Sequence, residues 1–233
     1  MHDRNRFWGR AQKASNLSRR KPGEVREQAK RCLIICEGSK TEPFYFRNFR
    51  SSLCIPPLYI DIPDNDIGTD PMSVVKKAKA LYDMSRKEGN PYDAVFCVFD
   101  RDAHTGYSDA LSRTDQLNRS RKPFFAVDSD PCFEYWILLH YCPFRQPFAS
   151  SGTLSLCKSV EKELKKHLPE YEKGYRDLFA VLYPRILSAF SNAKMANLDA
   201  EKTGRSNPST RIPVLFEKLK AFFPQEFSEK GLS

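Results

Sequence analysis

An unbroken apolar run, Ala94-Val-Phe-Cys-Val-Phe99, stops at Asp100-Arg-Asp102. It is short, rich in Val and Phe, and free of polar alternation, so its pattern predicts a strand buried on both faces. That is the environment of a central strand in a parallel α/β sheet. Ligands of open α/β sheets bind beyond the carboxyl ends of the strands, which is where this chain places two carboxylates. Upstream, Arg31-Cys-Leu-Ile-Ile-Cys-Glu-Gly38 repeats the layout, an apolar strand followed by Glu37 and a glycine. Two buried strands each deliver acid at their exit, and the remaining pattern is organised around them.

In chain order, strands are expected at Cys32 to Cys36, Leu58 to Ile62, Ala94 to Phe99 and Pro123 to Val127. Between them come a helix starting near Pro43 with Thr41 as N-cap, an amphipathic helix over Pro71 to Lys87, and another over Tyr107 to Asn118. Strands alternating with helices give a parallel sheet. Beyond Asp128 the pattern is helical only: Cys132 to Tyr141, Leu154 to Leu168, Arg176 to Leu198 and Arg211 to Phe223. The Leu154 to Leu168 segment carries Lys158, Lys162, Lys165 and Lys166 on its outer face. Asn207, Ser209 and Thr210 read as caps of the last helix. The expected fold class is α/β, with a roughly four-stranded, mainly parallel sheet flanked by helices. The expected division is a basic arm over 1–30, an α/β core over 31–130 and a helical part over 131–233 packed on that core.

A net charge of +9 suggests a polyanionic partner, with nucleic acid favoured over a membrane because no strongly amphipathic basic helix stands out. No apolar segment is long enough to span a bilayer, and the first residues lack the apolar core of a secretion signal. The 7 Cys are scattered without a CxxC pair, which fits a reduced, cytoplasmic protein and argues against zinc. The arm, with Arg19, Arg20 and Lys21 at its densest point, has two readings: a solubilising tail, or a phosphate-tracking segment that orders on contact.

Asp100 and Asp102, spaced i, i+2 past a strand end, can aim oxygen ligands at one hard cation, Mg²⁺ or Mn²⁺. Glu37, leaving a neighbouring strand at the same edge, can complete or adjoin that site. Glu134 opens a helix that is otherwise almost wholly apolar. Plainer roles stand beside these: strand-end acids cap helices, and a first-turn glutamate suits the helix dipole. Lys40 and Arg101 are placed to meet phosphate, and Lys40 equally suits a solvated loop. Glu37-Gly-Ser-Lys-Thr41 lacks the first glycine of a phosphate-binding P-loop. His104 and His140 have no nucleophile elbow beside them, and His140 sits on an apolar helix face.

Glu37-Gly38 after one buried strand, with Asp100-x-Asp102 after a later one, resembles the Toprim pattern of topoisomerases, primases and OLD-type nucleases. Four stretches carry a closer likeness: Ile34-Ile-Cys-Glu-Gly-Ser-Lys-Thr-Glu-Pro43, Val98-Phe-Asp-Arg-Asp102, Asp130-Pro-Cys-Phe-Glu-Tyr-Trp-Ile-Leu-Leu-His140 and Ser206-Asn-Pro-Ser-Thr210. Together, in this order, they resemble the RloB family of prokaryotic defence-associated proteins, with Ser129-Asp130 departing from the family's Ser-Asn. The resemblance implies a Toprim-like fold, a role in antiviral defence through abortive infection or a CRISPR-linked system, and a partner ATPase encoded nearby. It also implies a metal-dependent endonuclease acting on nucleic acid, RNA such as tRNA before DNA. In that reading Asp100 and Asp102 hold the principal Mg²⁺ or Mn²⁺. Glu37 binds a second ion or acts as general base, Glu134 completes the cluster, and Lys40 and Arg101 face phosphate. The rival reading is a non-catalytic subunit that binds metal, nucleotide or nucleic acid and regulates a defence ATPase.

Overall fold

A computed structural model describes residues 30–64, 70–101, 105–150 and 154–232. Asp102, His104, Arg19, Arg20 and Lys21 lie outside those residues. The strands β1 (Cys32–Cys36), β2 (Ile60–Asp61), β3 (Ala94–Asp100), β4 (Phe124–Asp130) and β5 (Ser209–Thr210) form one sheet in the order β2-β1-β3-β4-β5. β1 pairs in parallel with β2 and β3, and β3 with β4, while β5 runs antiparallel to β4. The fold is thus α/β, with a five-stranded, mostly parallel sheet flanked by helices and a helical C-terminal part.

The side-chain period of two in a strand divides β1 and β3 between two separate cores. Leu33, Ile35, Val95, Cys97 and Phe99 pack on one face against α2 (Pro71–Lys87) and α3 (Tyr107–Arg119). Cys32, Ile34, Cys36, Phe96 and Val98 pack on the other against α1 (Thr41–Ser52), α4 (Phe133–Leu138) and the later helices. Burial on both faces explains why neither strand alternates in sequence. The second core is the larger and continues through α5 (Leu156–Leu164), α6 (Leu178–Leu182), α7 (Ile186–Thr203), α8 (Ile212–Phe222) and α9 (Pro224–Glu229). Aromatic edges interlock at its centre: Tyr45, Phe46 and Phe133 meet one another, and Phe49 meets Phe179, Phe216 and Phe227.

Several expectations are corrected. Ser209 and Thr210, expected as caps of the last helix, form the fifth strand. They pair with Asp130 and Ser129, and the Ser129 and Thr210 hydroxyls lie 2.8 Å apart. Thr210 retains a local role, since its Oγ1 accepts from the Ile212 amide at 3.3 Å. β4 extends beyond Val127 through Asp128, Ser129 and Asp130, whose polar side chains are tied to neighbours rather than solvated. Thr41 is the first residue of α1 rather than its N-cap, and its hydroxyl accepts from the Gly174 amide at 3.0 Å. The helix expected over Arg176 to Leu198 breaks into α6, a 3₁₀ turn at Tyr183–Arg185 and α7. Pro184 lies in that turn, where it cannot supply an amide to a continuous helix. α2 follows the expected bounds, capped by Asp70, which accepts from Ser73 N at 3.0 Å.

Candidate functional site

The carboxyl edge of the sheet gathers its acids by register. Cys36 lies opposite Val98, so the next residue, Glu37, extends the pairing: its amide donates to Val98 O at 2.9 Å. Its Oε2 then accepts from the Asp100 amide at 2.9 Å. Glu37, leaving β1, is therefore fixed by the end of the neighbouring strand β3. Asp100 is the last residue of β3, and Glu134 lies in the first turn of α4, only 3% exposed.

A fourth acid, Glu42, joins from the first turn of α1. Its carboxylate lies so close to Gly38 that a β-carbon there would overlap it. Gly38 thus keeps its α-carbon bare to admit Glu42. The residues from Glu37 to Glu42, with Asp100, Glu134 and Lys173, line a cleft of about 270 Å³. In sequence, Glu42 closes the same Glu-Gly-Ser-Lys-Thr-Glu stretch, where nothing sets it apart from an ordinary first-turn acid.

Crowded carboxylates in a poorly solvated cleft resist ionisation. Burial, and then the neighbouring Glu42 and Glu134, push the Asp100 carboxyl well above its ordinary value. Burial also lifts Glu42 to about 7; Glu134 and Glu37 add to the rise, while its own backbone hydrogen bond and Lys173 oppose it. Glu134 accepts from Tyr171 OH at 3.0 Å, and the Lys173 ammonium stands 3.7 Å from the same oxygen and 3.5 Å from Glu161. Glu134 in turn holds the Lys173 ammonium above its usual value.

Asp100, Glu134 and Cys132 each offer a donor atom within 4.8 Å of the others. Burial pushes the Cys132 thiol well up in the metal-free protein, with Cys157 adding to the effect, and thiolate sulfur is a soft ligand beside two hard carboxylates. Carboxylate oxygens are the donor type that hard cations such as Mg²⁺ and Mn²⁺ favour.

The other expected site residues separate into distinct places. Lys40 lies at the cleft rim, exposed, its stem packed on Gly174. Arg101 turns away from the acids. It pairs with Asp130 at 2.8 Å, donates to Ser206 Oγ and lies 5.7 Å over the Tyr107 ring, in an adjoining cleft of about 430 Å³. Asp130 is thus the counter-ion of Arg101. Asp128 accepts from Tyr107 OH at 2.5 Å and pairs with Arg211 at 3.2 Å. His140 is buried, with Nδ1 3.0 Å from Trp136 O and its ring edge-on to the indole, a core histidine. Among the described residues no helix is long and apolar enough to cross a membrane.

No curated protein and no solved structure matches the chain. A family model described as RloB-like protein matches residues 32–219, from β1 into α8. With that match spanning most of its length, the chain belongs to the RloB-like family.

Proposed function

We propose that this chain is a Mg²⁺- or Mn²⁺-dependent endonuclease that cleaves nucleic acid, RNA such as tRNA before DNA, in prokaryotic antiviral defence. The observation that carries the proposal is the convergence of Glu37, Glu42, Asp100 and Glu134 in one cleft at the carboxyl edge of a parallel sheet. Mutual repulsion among buried carboxylates is a cost to the fold that a bound divalent cation would relieve. Asp100 and Glu134, with Glu37 beside them, would hold the ion; Asp102, next after Arg101 in sequence, belongs to the same assignment. When bound, the cation supplies charge neutralisation to the phosphoryl oxygens of an in-line displacement.

The chain's own groups supply the rest. Glu37, clamped by the Asp100 amide, lines the cleft and serves as ligand or general base. Glu42, held at about 7, exchanges a proton readily near neutral pH, the property a general acid or base needs. Lys40 and Lys173, both exposed and both lining the cleft, are the cations nearest an incoming phosphate. The defence setting, an abortive-infection or CRISPR-linked system with a partner ATPase, is supported by family membership. The net charge of +9 supports a polyanionic substrate.

The test is incubation of the wild type and Asp100→Asn with total RNA and with plasmid DNA, in Mg²⁺, Mn²⁺ or EDTA, with and without the partner ATPase. The reading predicts divalent-dependent RNA products from the wild type and none from the variant. Equal products from both, or products that persist in EDTA, would contradict it.

A further inference from the structure

The outer face of α5 is not used by the cleft chemistry, yet the fold brings it to the cleft mouth. α5 packs along α4, and Cys157 on its inner side donates to Pro131 O at 3.8 Å. Glu161 on its flank reaches Lys173, which lines the cleft. At 100° per residue, Lys158, Lys162 and Lys165 fall within an arc of about 60° next to Glu161 and extend about 10 Å along the helix. All three are exposed, and none has an ion pair among the described residues. By contrast Lys166, beside them, is paired with Glu163 at 2.5 Å. The stripe leads into the segment after α5, which is pinned over α1. Gly174 N donates to Thr41, Asn48 donates to Arg176 O, and the Arg176 guanidinium lies 5.7 Å over the Phe44 ring. Lys40 packs beside Gly174 at the rim.

Cations without counter-ions, laid in a line that ends at buried carboxylates, have a clear physical use. The acids repel a polyanion, and the line supplies the attraction that brings its backbone to them. We infer that Lys158, Lys162 and Lys165, continued by Arg176 and Lys40, form the track along which a single-stranded polynucleotide enters the cleft. The inference rests on the proposed nuclease reading and adds the route and strandedness of its substrate. The exposed Arg176, on the segment pinned over α1 and lying over Phe44, offers a planar stacking face for an unpaired base, which points to a single strand.

The experiment measures binding of a labelled single-stranded oligoribonucleotide to the full chain in EDTA across a salt series, so that no turnover enters. Each phosphate contact contributes about 0.7 to the slope of log K against log salt for single strands, so Lys158→Gln/Lys162→Gln/Lys165→Gln should lower the slope by about 2. Affinity at low salt should fall by at least about tenfold. Lys76→Gln/Lys87→Gln/Lys220→Gln, exposed on other helices, should leave the slope near that of the wild type. A wild-type slope in the first variant, an equal loss in the second, or equal affinity for a duplex would overturn the track. Cleavage of a dinucleotide too short to reach α5 tests the nuclease separately: the track variant should retain it.

Discussion

Gly38 and Glu42 show how much a missing side chain can decide. A methyl group at Gly38 would occupy the space of the Glu42 carboxylate, a flexible group that can swing away. Gly38→Ala should therefore fold normally while expelling Glu42 from the cleft. Both Gly38→Ala and Glu42→Gln are predicted to slow single-turnover cleavage by about a hundredfold, in the range of a lost acid–base group. Rapid-quench kinetics would check this, and a normal rate in either variant would remove Glu42 from the chemistry. Glu42 and His140 also give opposite signs to the pH dependence of stability. Glu42 is raised from 4.5 to about 7. Below about 4.5 its contribution is fully present, and it is lost as pH rises towards about 7, because the native state binds the extra proton. His140 is lowered from 6.5 to about 4, chiefly by burial. Its contribution is complete above about 6.5 and is lost as pH falls towards about 4, a loss of about 3 kcal/mol. His140→Phe should therefore lose less stability than the wild type between pH 6.5 and 4 in denaturant titrations. Parallel curves would contradict the buried, neutral histidine.

At the level of elements, α1 and α4 bring Glu42 and Glu134 together. Their tie is the hydrogen bond from Trp136 Nε1 to Tyr45 OH, 2.9 Å long and fully buried. Tyr45→Phe leaves that indole donor without its partner in an apolar core, at a cost of about 1–3 kcal/mol. Chemical denaturation should show this as a lower midpoint with an unchanged slope; an unaltered midpoint would mean that the pair is not a structural tie. These elements were unequally legible in the sequence. β1, β3 and α2 were plain because an uninterrupted apolar run and a 3.6-residue stripe are signals carried by the segment itself. The polar end of β4 and the two-residue β5 were hidden, since Ser129 and Thr210 make strand only by meeting each other from distant parts of the chain. The Tyr183–Arg185 turn was signalled by Pro184 but masked by continuing helical apolarity on both sides. At the site, Glu37 and Asp100 were visible as strand-end acids. Glu42 was not, because only its close approach to Gly38 makes it part of the cleft. The sequence places Arg101 to meet phosphate; its pairing with Asp130 joins the ends of β3 and β4, a contact that no local pattern signals.

Across the whole molecule, a rigid sheet with a core on each face supports an edge where carboxylates are held together against their repulsion. The surrounding chain is basic, with a net charge of +9, so the acids form a negative focus in a positive protein. In the proposed function, that contrast separates ion binding in the cleft from polyanion binding around it. It also predicts that removing one acid stabilises the metal-free protein. Asp100→Asn should raise the metal-free melting temperature by a few degrees, equivalent to about 1 kcal/mol, and should gain less from added Mg²⁺ than the wild type does. The most direct test of the central claim is calorimetric titration of Mn²⁺ into the full chain, comparing wild type with Asp100→Asn and Glu134→Gln. The account predicts saturable binding by the wild type that weakens by at least about tenfold, or about 1.4 kcal/mol, in each variant. Absence of binding by the wild type, or equal binding by all three proteins, would contradict it.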